Sequence, residues 1–204
     1  MGATLCLYPA CPACTATTTR MKPMGQVFQI AALPRSGTAW ISTVLNMVDG
    51  CIAFHELAAT EKNWRGRIEH AAQYYSFVGD VTTYGFLPKA NWPGCPKVFI
   101  HRNYEESHAA SEKAFGKKFS KLVYHRGEEI GLDWARENGA LVIPYSEMFR
   151  VGTVKLIIAK VMPWVMFGST EKIEMACRMN IQRQGAAEAF CNDECAEVME
   201  KMLV

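Results

Sequence analysis

At 204 residues, 50% of them hydrophobic and 21% charged, the chain has the make-up of one globular domain that can bury a full core without disulfide or metal staples. Its net charge of +2 is too small for a broad nucleic-acid surface, so any basic residue that matters acts locally. The most apolar stretch, VKLIIAKVMPWVMFG (154–168), is broken by Lys160 and Pro163 and falls short of the ~20 apolar residues of a membrane span.

The first twenty residues carry no basic residue before Arg20, and Pro9 and Pro12 interrupt any apolar run, so they do not read as a signal peptide. The expectation is a cytoplasmic protein with no membrane partner. Residues 1–24, rich in Thr, Ala and Pro, read as a disordered extension, and 25–204 as the folded domain. Cys11 and Cys14 have the spacing of a metal or redox pair, but no second close pair accompanies them. Near the other end, Cys191, Cys195, Val198 and Met202 follow a helical stripe and read as buried thiols. No metal is expected.

The folded part alternates short β-rich runs with longer helical ones. VFQIAAL (27–33) reads as a buried strand and TAWISTVLNMV (38–48) as a helix with Ile41, Val44, Leu45 and Val48 on one face. CIAF (51–54) is a second strand, 61–75 a helix weakened by Gly66, and SFVGDV (76–81) a weak strand. A turn-rich loop spans 82–96. KVFIH (97–101) is a strand, followed by helices over 105–114 and 123–138, the strand ALVIP (140–144), and helices over 147–162, 170–182 and 189–203. Continuously apolar strands separated by helices predict a mostly parallel sheet covered on both faces: a single three-layer, P-loop-like α/β domain with a helical C-terminus. Ligands of such sheets bind at the carboxyl ends of the strands, here PRSGT and HRN.

A strand that feeds a helix through a tight loop aims backbone N–H groups at one point, and the helix start adds partial positive charge. In PRSGT, Gly37 permits close backbone approach, Ser36 and Thr38 offer hydroxyls, and Arg35 brings a permanent charge with a planar donor fork. This is an anion site of the phosphate kind. The G-x-x-x-x-G-K-[ST] loop of nucleoside-triphosphate enzymes is not met, because its first Gly and its Lys are both missing.

The stretch PRSGTAWI (34–41) resembles the 5′-phosphosulfate loop of sulfotransferases that use 3′-phosphoadenosine 5′-phosphosulfate (PAPS), which reads close to P-[RK]-S-G-T-[TA]-W-[LI]. The resemblance implies that Arg35, Ser36, Gly37, Thr38 and Ala39 hold the 5′-phosphosulfate, with Trp40 beside the adenine. VFIHRNYEESHAAS (98–111) resembles the family's 3′-phosphate segment, which implies Arg102 and Ser111 as its ligands; Ser111 falls nine residues after the Arg, where the family's Ser usually falls eight after. LVIPYSEMF (141–149) resembles the later strand V-x-Y-x-[DE]-L of these enzymes, and GSTEKIEMACRMNIQRQ (168–184) is similar to the C-terminal helix of small bacterial and phage members. The activity implied is transfer of a sulfuryl group from PAPS, as co-substrate, to a hydroxyl or amine of a small-molecule or saccharide acceptor.

Such transfer requires a base for the acceptor and a cation for the leaving phosphate. Arg35 fits the second task. For the first, Glu56 follows the second strand twenty-one positions after Arg35, a spacing that matches the base of tyrosylprotein-type and several bacterial sulfotransferases. His55 is the rival, with a naturally basic range. Side chains alternate along an extended segment, so the two should point to opposite sides. Two other classes remain: a sulfotransferase-like nucleotide-binding scaffold without turnover, and a magnesium-dependent nucleotide kinase, which the missing Lys disfavours.

Overall fold

The computed structural model describes residues 24–165, 173–175 and 177. The extension expected over 1–24 therefore lies outside the described residues, apart from Met24. The same holds for the helix expected over 189–203 and most of that over 170–182.

Five strands, β1 (Gln26–Ala32), β2 (Cys51–His55), β3 (Phe77–Thr83), β4 (Lys97–His101) and β5 (Leu141–Pro144), form one sheet in the order β2-β3-β1-β4-β5. Every pairing is parallel. The helices are α1 (Thr38–Leu45), α2 (Leu57–Thr60), α3 (Trp64–Ala71), α4 (Tyr104–Phe115), α5 (Lys121–Glu137) and α6 (Val151–Val161). Alternate residues of β1 face opposite layers. Phe28, Ile30 and Ala32 join the core under α1 and α6. Ala31 and Leu33 join a second core with Phe99 of β4 and Trp134 of α5, while α3 packs Trp64 and Ile68 against Val78. The domain is thus a three-layer α/β sandwich, and its strands are apolar on both faces because both are covered.

The weak strand expected at 76–81 is in fact the internal strand β3, between β2 and β1. Gly79 and Asp80 obscure it in the sequence, and each has a local reason. A Cβ on Gly79 would stand 2.1 Å from Cε2 of Phe28, its register partner on β1. The Phe28 ring lies on bare backbone there. Gly79→Ala is expected to cost about 1–3 kcal/mol by overpacking, and Phe28→Leu should restore part of the loss in the double variant. Thermal denaturation of the three variants checks this; equal melting temperatures for wild type and Gly79→Ala would refute it.

The helix expected over 61–75 is shorter, with α2 and α3 separated at Glu61–Asn63. The one expected from 147 begins at Val151, after a 3-10 turn over Tyr145–Glu147. Strand β1 connects towards β2 on one side of the sheet and β4 connects to β5 on the other. The crevice made by that reversal lies beyond the carboxyl ends of β1 and β4, where Pro34–Gly37 and Arg102 stand.

Candidate functional site: a phosphate-type loop joined to a buried carboxyl

The loop after β1 is held open by backbone geometry. Arg35 and Gly37 both adopt left-handed conformations, φ 60° and 79°. Gly37 is also roofed: a Cβ there would lie 2.2 Å from Met148 Cε and 3.6 Å from Tyr145 Cε2. Gly37 caps α1, and no side chain bonds to the first turn of that helix. Among the described residues, the N–H groups of Ser36, Gly37, Thr38 and Ala39 donate to no protein acceptor. The Ser36 hydroxyl is fully buried and has no partner there either. A buried donor of this kind is uncommon in a finished fold. The Arg35 guanidinium makes no ion pair among the described residues and lies 5.7 Å from the centroid of the Phe115 ring. Amides, a hydroxyl and an uncompensated cation therefore gather at a helix start, as anion binding requires.

Arg102, from the end of β4, reaches this loop. One of its terminal nitrogens donates to the Arg35 carbonyl, and its guanidinium lies 4.2 Å from the centroid of Tyr145. Its Nε is buried without a hydrogen bond; the nearest carboxylate, on Glu106, is 3.6 Å away. Ser111 is placed differently from the expectation. Its hydroxyl is buried and donates 2.9 Å to the Ser107 carbonyl within its own helix, so it does not join the loop. One turn earlier Ser107, which the sequence reading passed over, donates to the carbonyl of Pro34 and so anchors the loop from α4. Trp40 is 3% exposed, with its ring 4.9 Å from Phe149, so in this structure the face assigned to adenine is closed. Ala39 contributes its backbone alone.

Glu56 and His55 converge instead of pointing apart. The alternation expected of an extended segment breaks because Glu56 itself is left-handed, φ 57°, at the start of α2. Thr38 Oγ1 donates 3.2 Å to Glu56 Oε1 and stands 3.0 Å from His55 Nε2. With the single Thr38 proton given to Glu56, we assign the Nε2–H tautomer to His55, which donates to Thr38. The Thr83 amide donates to both Glu56 oxygens, at 3.0 and 2.9 Å, and its hydroxyl donates at 2.5 Å. Burial pushes the Glu56 carboxyl up to about 7; the Thr83 and Thr38 hydrogen bonds oppose this, and the nearby Asp80 adds to it. Burial lowers His55 to about 4, so it is neutral at pH 7.

The arrangement can hold a multiply charged anion at the loop and accept a proton at Glu56, with Thr38 shared by both parts. Among the described residues no group of three or more His, Cys, Asp or Glu side chains is placed to hold a metal ion, and no helix is long and apolar enough to cross a membrane. Asp80, Thr83, Ser107 and Tyr145 went unnoticed in the sequence; for Ser107 the available signal was its position one turn before Ser111 on the same face of α4. The chain matches no protein-family model, no curated protein and no solved structure.

Proposed function

We propose that this protein is a cytosolic sulfotransferase that moves a sulfuryl group from PAPS to a hydroxyl or amine of a small-molecule or saccharide acceptor. The observation that carries the reading is a single side chain, Thr38, which opens α1 at the anion loop and donates 3.2 Å to a carboxyl with near-neutral proton affinity. The loop residues and Arg102 fit the phosphate groups of the nucleotide, while Trp40 and Ser111 are engaged elsewhere. The buried Ser36 hydroxyl and the Arg102 Nε have no hydrogen-bond partner among the described residues, and Arg35 has no acid partner there. When bound, PAPS supplies an activated sulfuryl group whose leaving oxygen belongs to a phosphate.

The loop amides of Ser36, Gly37, Thr38 and Ala39 would hold the 5′-phosphosulfate. Arg35 would neutralise charge that grows on the leaving oxygen, acting by charge and hydrogen bonding because a guanidinium keeps its proton. Arg102 would pair with the 3′-phosphate. Glu56, ionised in half the molecules near pH 7, would take the acceptor proton. His55, neutral and turned towards Thr38, would keep that hydroxyl oriented.

One observation favours a second reading, a nucleotide-binding scaffold without turnover. Glu56 already receives three donors and its side chain is 14% exposed. One measurement tests both readings and a second separates them. Calorimetric titration should find adenosine 3′,5′-bisphosphate binding at least about tenfold more tightly than ATP with Mg²⁺. Equal or reversed affinities would overturn both readings. Labelled sulfate should then pass from PAPS to at least one member of a panel of sugars, phenols and amines. Nucleotide binding with no transfer to any of them selects the scaffold.

A further inference from the structure

We infer that Asp80, a buried carboxylate on β3, is the positioning residue that turns Glu56 onto the anion loop. This inference rests on the reading of Glu56 as the base, and it adds a residue to that site. Asp80 is 2% exposed in the middle of a strand, where an unpaired carboxylate would be costly. Its partners account for it. Oδ1 accepts from the Leu57 amide and Oδ2 from the Ala58 amide, each at 3.0 Å, and the Thr82 hydroxyl also donates to Oδ2.

The two amides immediately follow Glu56. A carboxylate that grips both fixes the direction in which the chain leaves Glu56 and so over-determines its left-handed backbone, a conformation that is strained for a non-Gly residue. That turn undoes the strand alternation and brings the Glu56 carboxyl round to Thr38 and Thr83. Asp80 is opposite Phe54 in the β2–β3 register and opposite Gln29 in the β1–β3 register, so both flanking strands hold it in place.

The same carboxylate acts on Glu56 by charge. Among the described residues, the titratable groups facing Glu56 are His55 from β2 and Asp80 from β3; α1 presents Thr38 and the end of β3 presents Thr83, neither of which titrates near neutrality. His55 is neutral at pH 7. Burial is the main cause of the raised Glu56 proton affinity, and Asp80, once ionised, adds to it as the negative neighbour; burial raises Asp80 as well, against the hydrogen bonds from Thr82, Ala58 and Leu57.

The experiment is an NMR titration of the full chain labelled at the glutamate carboxyl carbon, with the resonance of Glu56 identified by its loss in Glu56→Gln. In Asp80→Asn, if Oδ1 still accepts from the Leu57 amide, loss of the charge should lower the Glu56 midpoint by about one pH unit, a tenfold loss of proton affinity, while a rise would show that Glu56 has been released from Thr38 and Thr83; either shift supports the inference. Thr82→Val removes a donor from Asp80 and keeps Asp80 neutral to higher pH, so it should lower the midpoint by a smaller amount. If Asp80→Asn does not fold, Thr82→Val decides alone. An unmoved midpoint in the folded variants overturns the inference. In the transfer assay Asp80→Asn should lower kcat and leave the KM for PAPS within about twofold, because the anion loop is untouched. A midpoint that moves while the acidic limb of kcat/KM stays in place retains Asp80 as the positioning residue and removes Glu56 as the base.

Discussion

Glu56→Gln is expected to lower sulfuryl transfer by about 10²–10⁴-fold, the usual contribution of a positioned base, with donor affinity nearly unchanged. It should also change how folding stability depends on pH, which can be measured without any acceptor. In the folded protein Glu56 binds its proton up to about pH 7, while in the unfolded chain it releases it near 4.5. Between those values the folded state holds more protons than the unfolded one, so Glu56 makes stability fall as pH rises through that window and level off above it. The loss is on the order of 3 kcal/mol at pH 8, from a side chain only 14% exposed. His55 acts in the opposite sense over an overlapping window: its proton affinity is depressed in the fold, so its contribution is lost as pH falls from 6.5 towards 4. Between pH 5 and 6.5 the two slopes oppose each other in wild type, so Glu56→Gln should unmask a stability that rises with pH there and should remove the decline between pH 6.5 and 8. Denaturant melts of wild type and variant between pH 5 and 8 compare the two slopes; parallel slopes would mean that Glu56 is ionised in the fold at pH 5.

The strand-to-helix loop was legible in the sequence because its signals are local. A buried apolar run, then Arg-Ser-Gly-Thr, then helical periodicity place amides, hydroxyls and a cation together whatever the rest of the chain does. The three layers were legible for a similar reason, since both faces of β1 carry apolar residues. Strand β3 was faint because Gly79 and Asp80 are poor strand formers, chosen by Phe28 across the sheet and by the amides that follow Glu56. Neither partner is near in sequence. The convergence of His55 and Glu56 was hidden by the assumption of an extended chain, which one left-handed residue overturned. Ser111 illustrates a limit of spacing arguments. It shares a helix face with Ser107, and only the packing of α4 against the loop decides that Ser107 meets Pro34 while Ser111 bonds back into its own helix.

The second large effect is expected at Arg35, where stability and function should separate. Arg35 is held at φ 60°, a conformation that costs a residue with a Cβ about 1–2 kcal/mol and costs glycine nothing. Arg35→Gly relieves this but frees the unfolded chain by about 0.5–1 kcal/mol in the opposite sense. The guanidinium has no ion pair among the described residues, and its stacking on Phe115 is weak at 5.7 Å, so little else is lost. Stability should therefore stay within about 1 kcal/mol of wild type. Transfer should fall by about 10²–10³-fold, because the cation assigned to the leaving oxygen is removed, while Arg102 is engaged with the carbonyl of residue 35. Affinity for adenosine 3′,5′-bisphosphate should fall less, about tenfold, since the loop amides and Arg102 remain. Arg35→Lys keeps a charge and the strained backbone but loses the planar fork, so it should be slower than wild type and no more stable. The hydrogen bonds from Arg102 to the Arg35 carbonyl and from Ser107 to the Pro34 carbonyl hold the strained backbone, and neither uses the Arg35 guanidinium; if Arg35→Gly turned over within threefold of wild type, the guanidinium would have no role in transfer and the loop would be only a binding element.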